Sequence, residues 1–275
     1  MYERQGRCKF LRRLFLFLRE VNDMKRLYRA LICDAGNGSY DKLKKMTIWQ
    51  ECGFEPVGRT SDMKDLKKLC AARGAELVVC FNRPPLLNAD TAITAVKSAC
   101  ADTVCIAASP RDDFENMRKC FIAGAIDYLT EPISESRLKE ALARAAEQIG
   151  SSFMTGEYTL ALQEYINSIK CTDEKFLTRL SDFLMGCENI TVTTEYAADH
   201  FGFNKDYFGR MFKQKTGQTF GDFYKRFRMI YAEKLLSSGR YKVYEVSGLL
   251  GFSSVDYFTT VFKKVTGHTP SELKR

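Results

Sequence analysis

From about residue 28 the chain alternates short apolar runs with longer stretches in which apolar residues recur every three or four positions. The short runs predict buried strands, and the 3.6-residue recurrence between them predicts amphipathic helices. Strands are expected at Arg29–Cys33, Glu55–Gly58, Glu76–Phe81, Thr103–Ala107 and Asp127–Leu129. Helices are expected at Tyr40–Cys52, Asp62–Arg73, Ala89–Cys100, Asp112–Ala123 and Ser134–Ile149. Five such units in succession call for a doubly wound α/β fold, a parallel sheet with helices on both faces. Function in such a fold collects at the C-terminal ends of the strands.

The pattern changes after residue 150. The stretch GSSFMTGEY at 150–158 reads as a linker, and amphipathic helical segments follow to about Gly186. From residue 188 the apolar positions keep helical spacing only, which predicts an all-α part. Within it one phrase occurs twice, as DYFGRMFKQKTGQT from Asp206 and DYFTTVFKKVTGHT from Asp256. The copies begin 50 residues apart and agree at 8 of 14 positions. Repetition at such a period marks one supersecondary unit used twice.

In each copy an apolar stripe is predicted to be buried: Tyr207, Phe208, Met211 and Phe212 in the first, Tyr257, Phe258, Val261 and Phe262 in the second. The opposite face holds Asp206, Gly209, Arg210 and Lys213, then Asp256, Thr259, Thr260 and Lys263. A short helix precedes each copy and stops at Gly202 or Gly251, the first of them capped by Thr193 or Thr194. Helix, glycine turn, second helix with a polar outer face is the helix-turn-helix arrangement, whose second helix can enter a major groove.

Charge sharpens the picture. The net charge is +8, and residues 188–275 carry 14 Lys+Arg against 9 Asp+Glu, or +5. The first 24 residues contribute +3, which leaves the strand-and-helix half neutral. A basic excess on the repeat-bearing part suits a polyanionic partner. The first 24 residues read as a basic extension: their apolar segment is interrupted by Arg12 and Arg13, too short to span a bilayer and without a signal-peptide cleavage site. A membrane-surface helix there and a natural start at Met24 are both readings of it, and we favour the start at Met24. The ten cysteines all precede residue 188 and none forms a CxxC pair, which reads as structural thiols in a reducing cytoplasm. The two histidines lack nearby ligands, so neither a metal site nor a cofactor is expected.

The first half resembles a two-component receiver domain over about 125 residues. The resemblance is carried by LICDAGNG after the first strand, Ile48-Trp49 before Gly53-Phe54, ASPRDDF after the fourth strand and AIDYLTEPI at the fifth. It implies a flavodoxin-like fold with Mg²⁺ on an acidic pair after the first strand. It also implies a phosphorylated aspartate ending the third strand and a lysine before the proline that follows the fifth. This sequence departs at those places: the acidic pair is Asp34-Ala35, the acceptor position falls on Phe81, and the lysine position falls on Glu131. Asp34, Ser109 and Tyr128 match, although Ser109 also reads as a plain loop hydroxyl and Tyr128 as a core aromatic. The expectation is a degenerate pseudo-receiver that is not phosphorylated.

Residues 188–275 resemble an AraC-type DNA-binding domain. The first motif is AADHFGFNKDYFGRMFKQKTG; the second is VYEVSGLLGFSSVDYFTTVFKKVTGHTPSELKR. Between them Tyr224, Arg228, Ala232 and Leu235-Leu236 match the linker helix. The resemblance implies two recognition helices about one DNA turn (~34 Å) apart. It places DNA contacts at Asn204, Lys205, Asp206, Gly209, Arg210 and Lys213 in the first motif. In the second they fall at Ser254, Val255, Asp256, Thr259, Thr260, Lys263 and Lys264. Arg210 is the strongest of these, since arginine can take guanine O6 and N7 together. Asp256 either accepts from a cytosine amine or caps its own helix, and we favour the cap.

The expected organisation is therefore a basic extension at 1–24, a receiver-like domain at 25–149, linker and connecting helices at 150–187, and a DNA-binding domain at 188–275. The expected function is a cytoplasmic, sequence-specific transcription regulator. Its partners are double-stranded DNA and a second copy of the chain, with a partner protein or small-molecule ligand at the receiver-like half and no membrane. The competing reading is a protein-binding module that titrates another regulator, with DNA contact secondary. No glycine-rich phosphate loop or nucleophile–base pair supports an enzyme.

Overall fold

A computed structural model describes residues 27–36, 39–187 and 191–273; the extension at 1–24 lies outside them. Two compact units divide between Ser152 and Phe153.

The first unit is built on five parallel strands, β1 (Tyr28–Cys33), β2 (Phe54–Thr60), β3 (Leu77–Phe81), β4 (Val104–Ser109) and β5 (Ala125–Thr130), in the order β2-β1-β3-β4-β5. The order reverses between β1 and β3, which opens a crevice at their C-terminal ends. Strands β3 and β4 are buried throughout because helices cover both faces, so they read as continuous apolar runs. Strand β2 lies at an edge, where proline is tolerated, and its register with β1 shifts just after Pro56. The helices are α1 (Ser39–Lys44), α2 (Ile48–Glu51), α3 (Met63–Arg73), α4 (Ala89–Ala99), α5 (Phe114–Ala123) and the start of α6 (Glu135–Ser168). The single helix expected at Tyr40–Cys52 is thus two. The chain turns after Leu43, which brings the adjacent Ile48 and Trp49 inward together, and the Trp49 indole N–H donates to the Leu43 carbonyl at 2.7 Å.

The 150–158 stretch is not a loop. It lies inside α6, a helix of 34 residues, because Met154, Ala161, Leu162 and Tyr165 keep a buried stripe across it at helical spacing. Gly156 costs the helix little when so many neighbours are packed.

The second unit begins with the later turns of α6 and continues through α7 (Glu174–Gly186), α8 (Thr194–Phe201), α9 (Lys205–Thr216), α10 (Phe220–Ser237), α11 (Val243–Leu249) and α12 (Val255–Thr266), ending in a 3₁₀ turn at Pro270–Leu273. Helix α10 is its axis and buries Phe220, Phe223, Tyr224, Phe227, Tyr231 and Leu235. Tyr158 of α6 meets Phe227 and Tyr231 edge-on at 4.9 and 5.3 Å, and Tyr165 stacks on Phe223 at 5.1 Å. Phe176 of α7 packs on Phe201 and Phe212. The connecting helices therefore belong to the core of the second unit. Among the described residues no helix is long and apolar enough to cross a membrane.

Candidate nucleic-acid interface and receiver-like site

The second helix of each pair starts on a side-chain cap and ends on a left-handed glycine. Thr193 accepts from the Tyr196 backbone N–H to start α8, and Gly202 ends it at φ 76°, a conformation that a side chain would resist. Asn204 starts α9 by accepting from the Tyr207 N–H at 2.9 Å, and Ser254 starts α12 by accepting from the Tyr257 N–H at 3.2 Å. The second turn is one residue longer, with three positions from Gly251 to Ser254 against two from Gly202 to Asn204. Asp256 does not cap α12, because Ser254 holds that position, and its side chain lies exposed.

Inside the two copies Phe208, Phe212, Phe258 and Phe262 are buried, while Met211 and Val261 are half-buried. Tyr207 and Tyr257 are not buried: they stand 48% and 57% exposed, on the same side as the polar residues. An i, i+1 pair on a helix is 100° apart, so a core that takes the phenylalanine leaves the preceding ring at its margin. These two tyrosines are the surface residues that the stripe pattern concealed. On α9 the side chains of Lys205, Asp206, Arg210 and Lys213 are exposed. A Cβ on Gly209 would meet nothing within 4 Å, so a larger residue would fit there. Lys205 is paired with Glu195 of α8, which turns part of its charge inward on the motif. On α12 Val255, Asp256, Thr260, Lys263 and Lys264 are exposed and Thr259 is half-buried. The Thr260 hydroxyl donates to the Asp256 carbonyl at 2.9 Å.

Arg228 of α10 is not a surface cation. Its guanidinium donates to the Leu250 carbonyl at the end of α11 and lies 4.6 Å over the Phe252 ring, and burial lowers its pKa. It ties the linker helix to the second turn. Glu245 accepts from the Lys242 N–H at 2.6 Å as a capping residue, and burial raises its pKa.

Residues 197–275 match the family model described as a helix-turn-helix domain. These residues form an AraC-type helix-turn-helix domain. The chain joins this DNA-binding domain of transcription regulators to a receiver-like domain. The transcriptional regulatory protein HptR of Staphylococcus aureus (strain N315) is 25% identical over 249 residues, covering 90% of this chain and 98% of the relative. An uncharacterized response regulatory protein of Staphylococcus epidermidis is 26% identical over 253 residues, covering 90% and 99%. Among solved structures, the REC domain of AraT, a response regulator from Geobacillus stearothermophilus, aligns at 18% identity and a TM-score of 0.43, covering 46% of this chain and 98% of that one.

In the receiver-like domain the predicted residues gather at the crevice, together with Arg83, which the sequence did not single out. Asp34 is fully buried at the end of β1, and its Oδ1 accepts from the Gly36 N–H at 2.9 Å and from Arg83 Nε at 3.3 Å. Arg83 also donates to both oxygens of Glu131, at 2.6 and 2.9 Å, and to Ser39 Oγ at 2.9 Å. Ser39 Oγ donates to Glu131 at 2.6 Å. The same guanidinium sits 4.9 Å over the Phe81 ring. Arg83 thus clasps the ends of β1, β3 and β5 and the start of α1. Its hydrogen bonds hold the Glu131 carboxyl below its ordinary range. The signal for it was position alone, two residues past Phe81 and among carboxylates that only the sheet brings close.

Ala35 is half-buried against the core. Ser109 is buried, with its Oγ accepting from the Arg111 N–H at 3.3 Å, and half-buried Tyr128 donates to the Arg111 carbonyl at 3.4 Å. A cavity of about 300 Å³ opens beside Glu131, with Lys42, Leu43, Met46 and Ile133 among its walls. The Cys33 and Cys105 thiols are pushed by burial to about 12, and that of Cys80 is raised as well. Among the described residues no three His, Cys, Asp or Glu side chains come together as metal ligands would.

Proposed function

We propose that the chain regulates transcription by reading a specific duplex sequence with α9 and α12 together, while its receiver-like domain answers to something other than a phosphoryl group. The first part rests on one observation. Two capped helices, 50 residues apart in register, each turn a polar face outward from a buried phenylalanine pair. Arg210 is the base reader of α9, since its fork can donate to guanine O6 and N7 at once. In α12 the Thr260 hydroxyl donates to its own backbone and keeps only acceptor capacity, so Lys263 and Lys264 hold phosphates and the helix anchors more than it reads.

The second part rests on Arg83. Mg²⁺ asks for several oxygen ligands in octahedral array. Here Asp34 has Ala35 in place of a second carboxylate, and a guanidinium already lies against it. The donor set does not fit the ion. Phe81 carries no nucleophilic oxygen, and Glu131 would repel a phosphoryl group. Input would come from a small ligand in the cavity beside Glu131, or from a protein surface. Helix α5 exposes Phe114, Phe121 and Ile122, a face that a second copy would cover in a cytoplasmic homodimer. The same face supports the competing reading, a module that titrates another regulator.

Sequencing of genomic fragments retained by the full chain separates the two. A shared motif with two half-sites is expected, and even coverage of the genome contradicts the proposal. Incubation with a small phosphodonor and Mg²⁺ is expected to leave no acid-labile phosphoprotein; a mass gain of one phosphoryl group refutes the second part.

A further inference from the structure

We infer that Tyr207 and Tyr257 are a matched pair of phosphate anchors, one on each recognition helix, and that their phenol hydroxyls donate to the DNA backbone. The inference rests on the DNA-binding reading and names residues that the stripe pattern had assigned to the core.

Three observations carry it. The two rings are exposed aromatics in register, 50 residues apart, at the third position after each N-cap. A large ring left uncovered once would need no account, but the same exposure in both copies of the motif does. Each ring is also braced by the phenylalanine that follows the turn glycine. Phe203 lies 5.0 Å from Tyr207, and Phe252 lies 5.8 Å from Tyr257. The second turn is one residue longer, yet the brace is kept, so it follows the tyrosine and not the spacing. Finally, both rings stand within the first turn of their helices, where the helix dipole favours an anion.

A braced ring loses little rotamer freedom on binding, which is what a positioning contact needs. Tyrosine is among the side chains that bond phosphate oxygens, and such contacts fix register without reading sequence. The two helices should not depend on their anchors equally. Helix α9 also exposes Arg210 and Lys213, whereas the cations that α12 exposes are Lys263 and Lys264, with no arginine at the position of Arg210. Tyr257 should therefore matter more than Tyr207.

The test uses the full chain and a duplex that it selects from genomic fragments. Tyr257→Phe keeps the ring and its brace and removes only the hydroxyl. It should weaken binding roughly 3–10-fold, the range of one lost hydrogen bond, and Tyr207→Phe should do so less. Base preference should not change. The slope of log affinity against log salt should also hold, because a hydroxyl, unlike an ammonium, displaces no counterion. Replacing single phosphates by methylphosphonate should locate the partner: at one phosphate per half-site the wild type loses affinity and the matching Tyr→Phe variant loses no more. Full affinity in both Tyr→Phe variants overturns the inference, as does a changed base preference. A chain that retains no duplex overturns the DNA-binding reading first and the anchors with it.

Discussion

Arg210 stands in register with the short, neutral Thr260, and Lys263 with Lys213, so Arg210 and Lys263 are assigned different work. A bidentate contact to guanine is worth about 1–3 kcal/mol of base discrimination. A lysine at a phosphate gives affinity alone. Arg210→Ala should relax preference in one half-site, and Lys263→Ala should weaken all sequences alike and lower the salt slope by about one unit. Affinities for single-base variants at two salt concentrations decide it, and the reverse pattern would put the roles the wrong way round. Glu131 offers a second test at this scale. Its pKa is lowered by hydrogen bonds from Arg83, so its stabilisation is present above the ordinary carboxylate value of 4.5 and is lost as pH falls through the lower folded value. Glu131→Gln should cost about 1 kcal/mol at pH 7, modest because the pair is partly exposed, and the gap to wild type should narrow as pH falls below the ordinary carboxylate value. Melting curves across pH give the answer, and a constant gap would mean that the clasp is not ionic.

At the scale of elements, the connecting helices are the instructive case. Phe176, Leu180, Phe183 and Leu184 were legible as an amphipathic stretch, but what they cover was not, because their partners lie on α8 and α9. The GSSFMTGEY stretch misled for a related reason: small and polar residues mark a loop only when nothing packs on the face between them. Central strands β3 and β4 were readable because burial on both faces writes itself into every position. The Arg83 clasp was not, since its partners stand 48 and 49 residues away in sequence. A fragment beginning at 188 removes the buried Met154, Leu162, Tyr165, Phe176 and Leu180 from the second unit. At roughly 1.5–3 kcal/mol for each large apolar side chain, that loss exceeds what a domain of this size can spare. Residues 153–275 should melt cooperatively, and residues 188–275 should not. A sharp transition in the shorter fragment would show that the connecting helices are accessory.

For the whole molecule the central claim is that two recognition helices act on one duplex at a fixed spacing. Two such units on one chain reach successive major grooves only if the half-sites repeat near one helical turn, about 10–10.5 base pairs. Each unit alone would bind weakly, and joining them multiplies affinity through effective concentration while the geometry allows both to engage. The most direct measurement is the affinity of the full chain for its selected site before and after inserting half a turn, about 5 base pairs, between the halves. The account predicts a fall to the affinity of one half-site, and no restoration by a full-turn insertion, which sets the halves about two turns (~68 Å) apart, beyond the fixed spacing of the two helices. Undiminished binding after the half-turn insertion would contradict it.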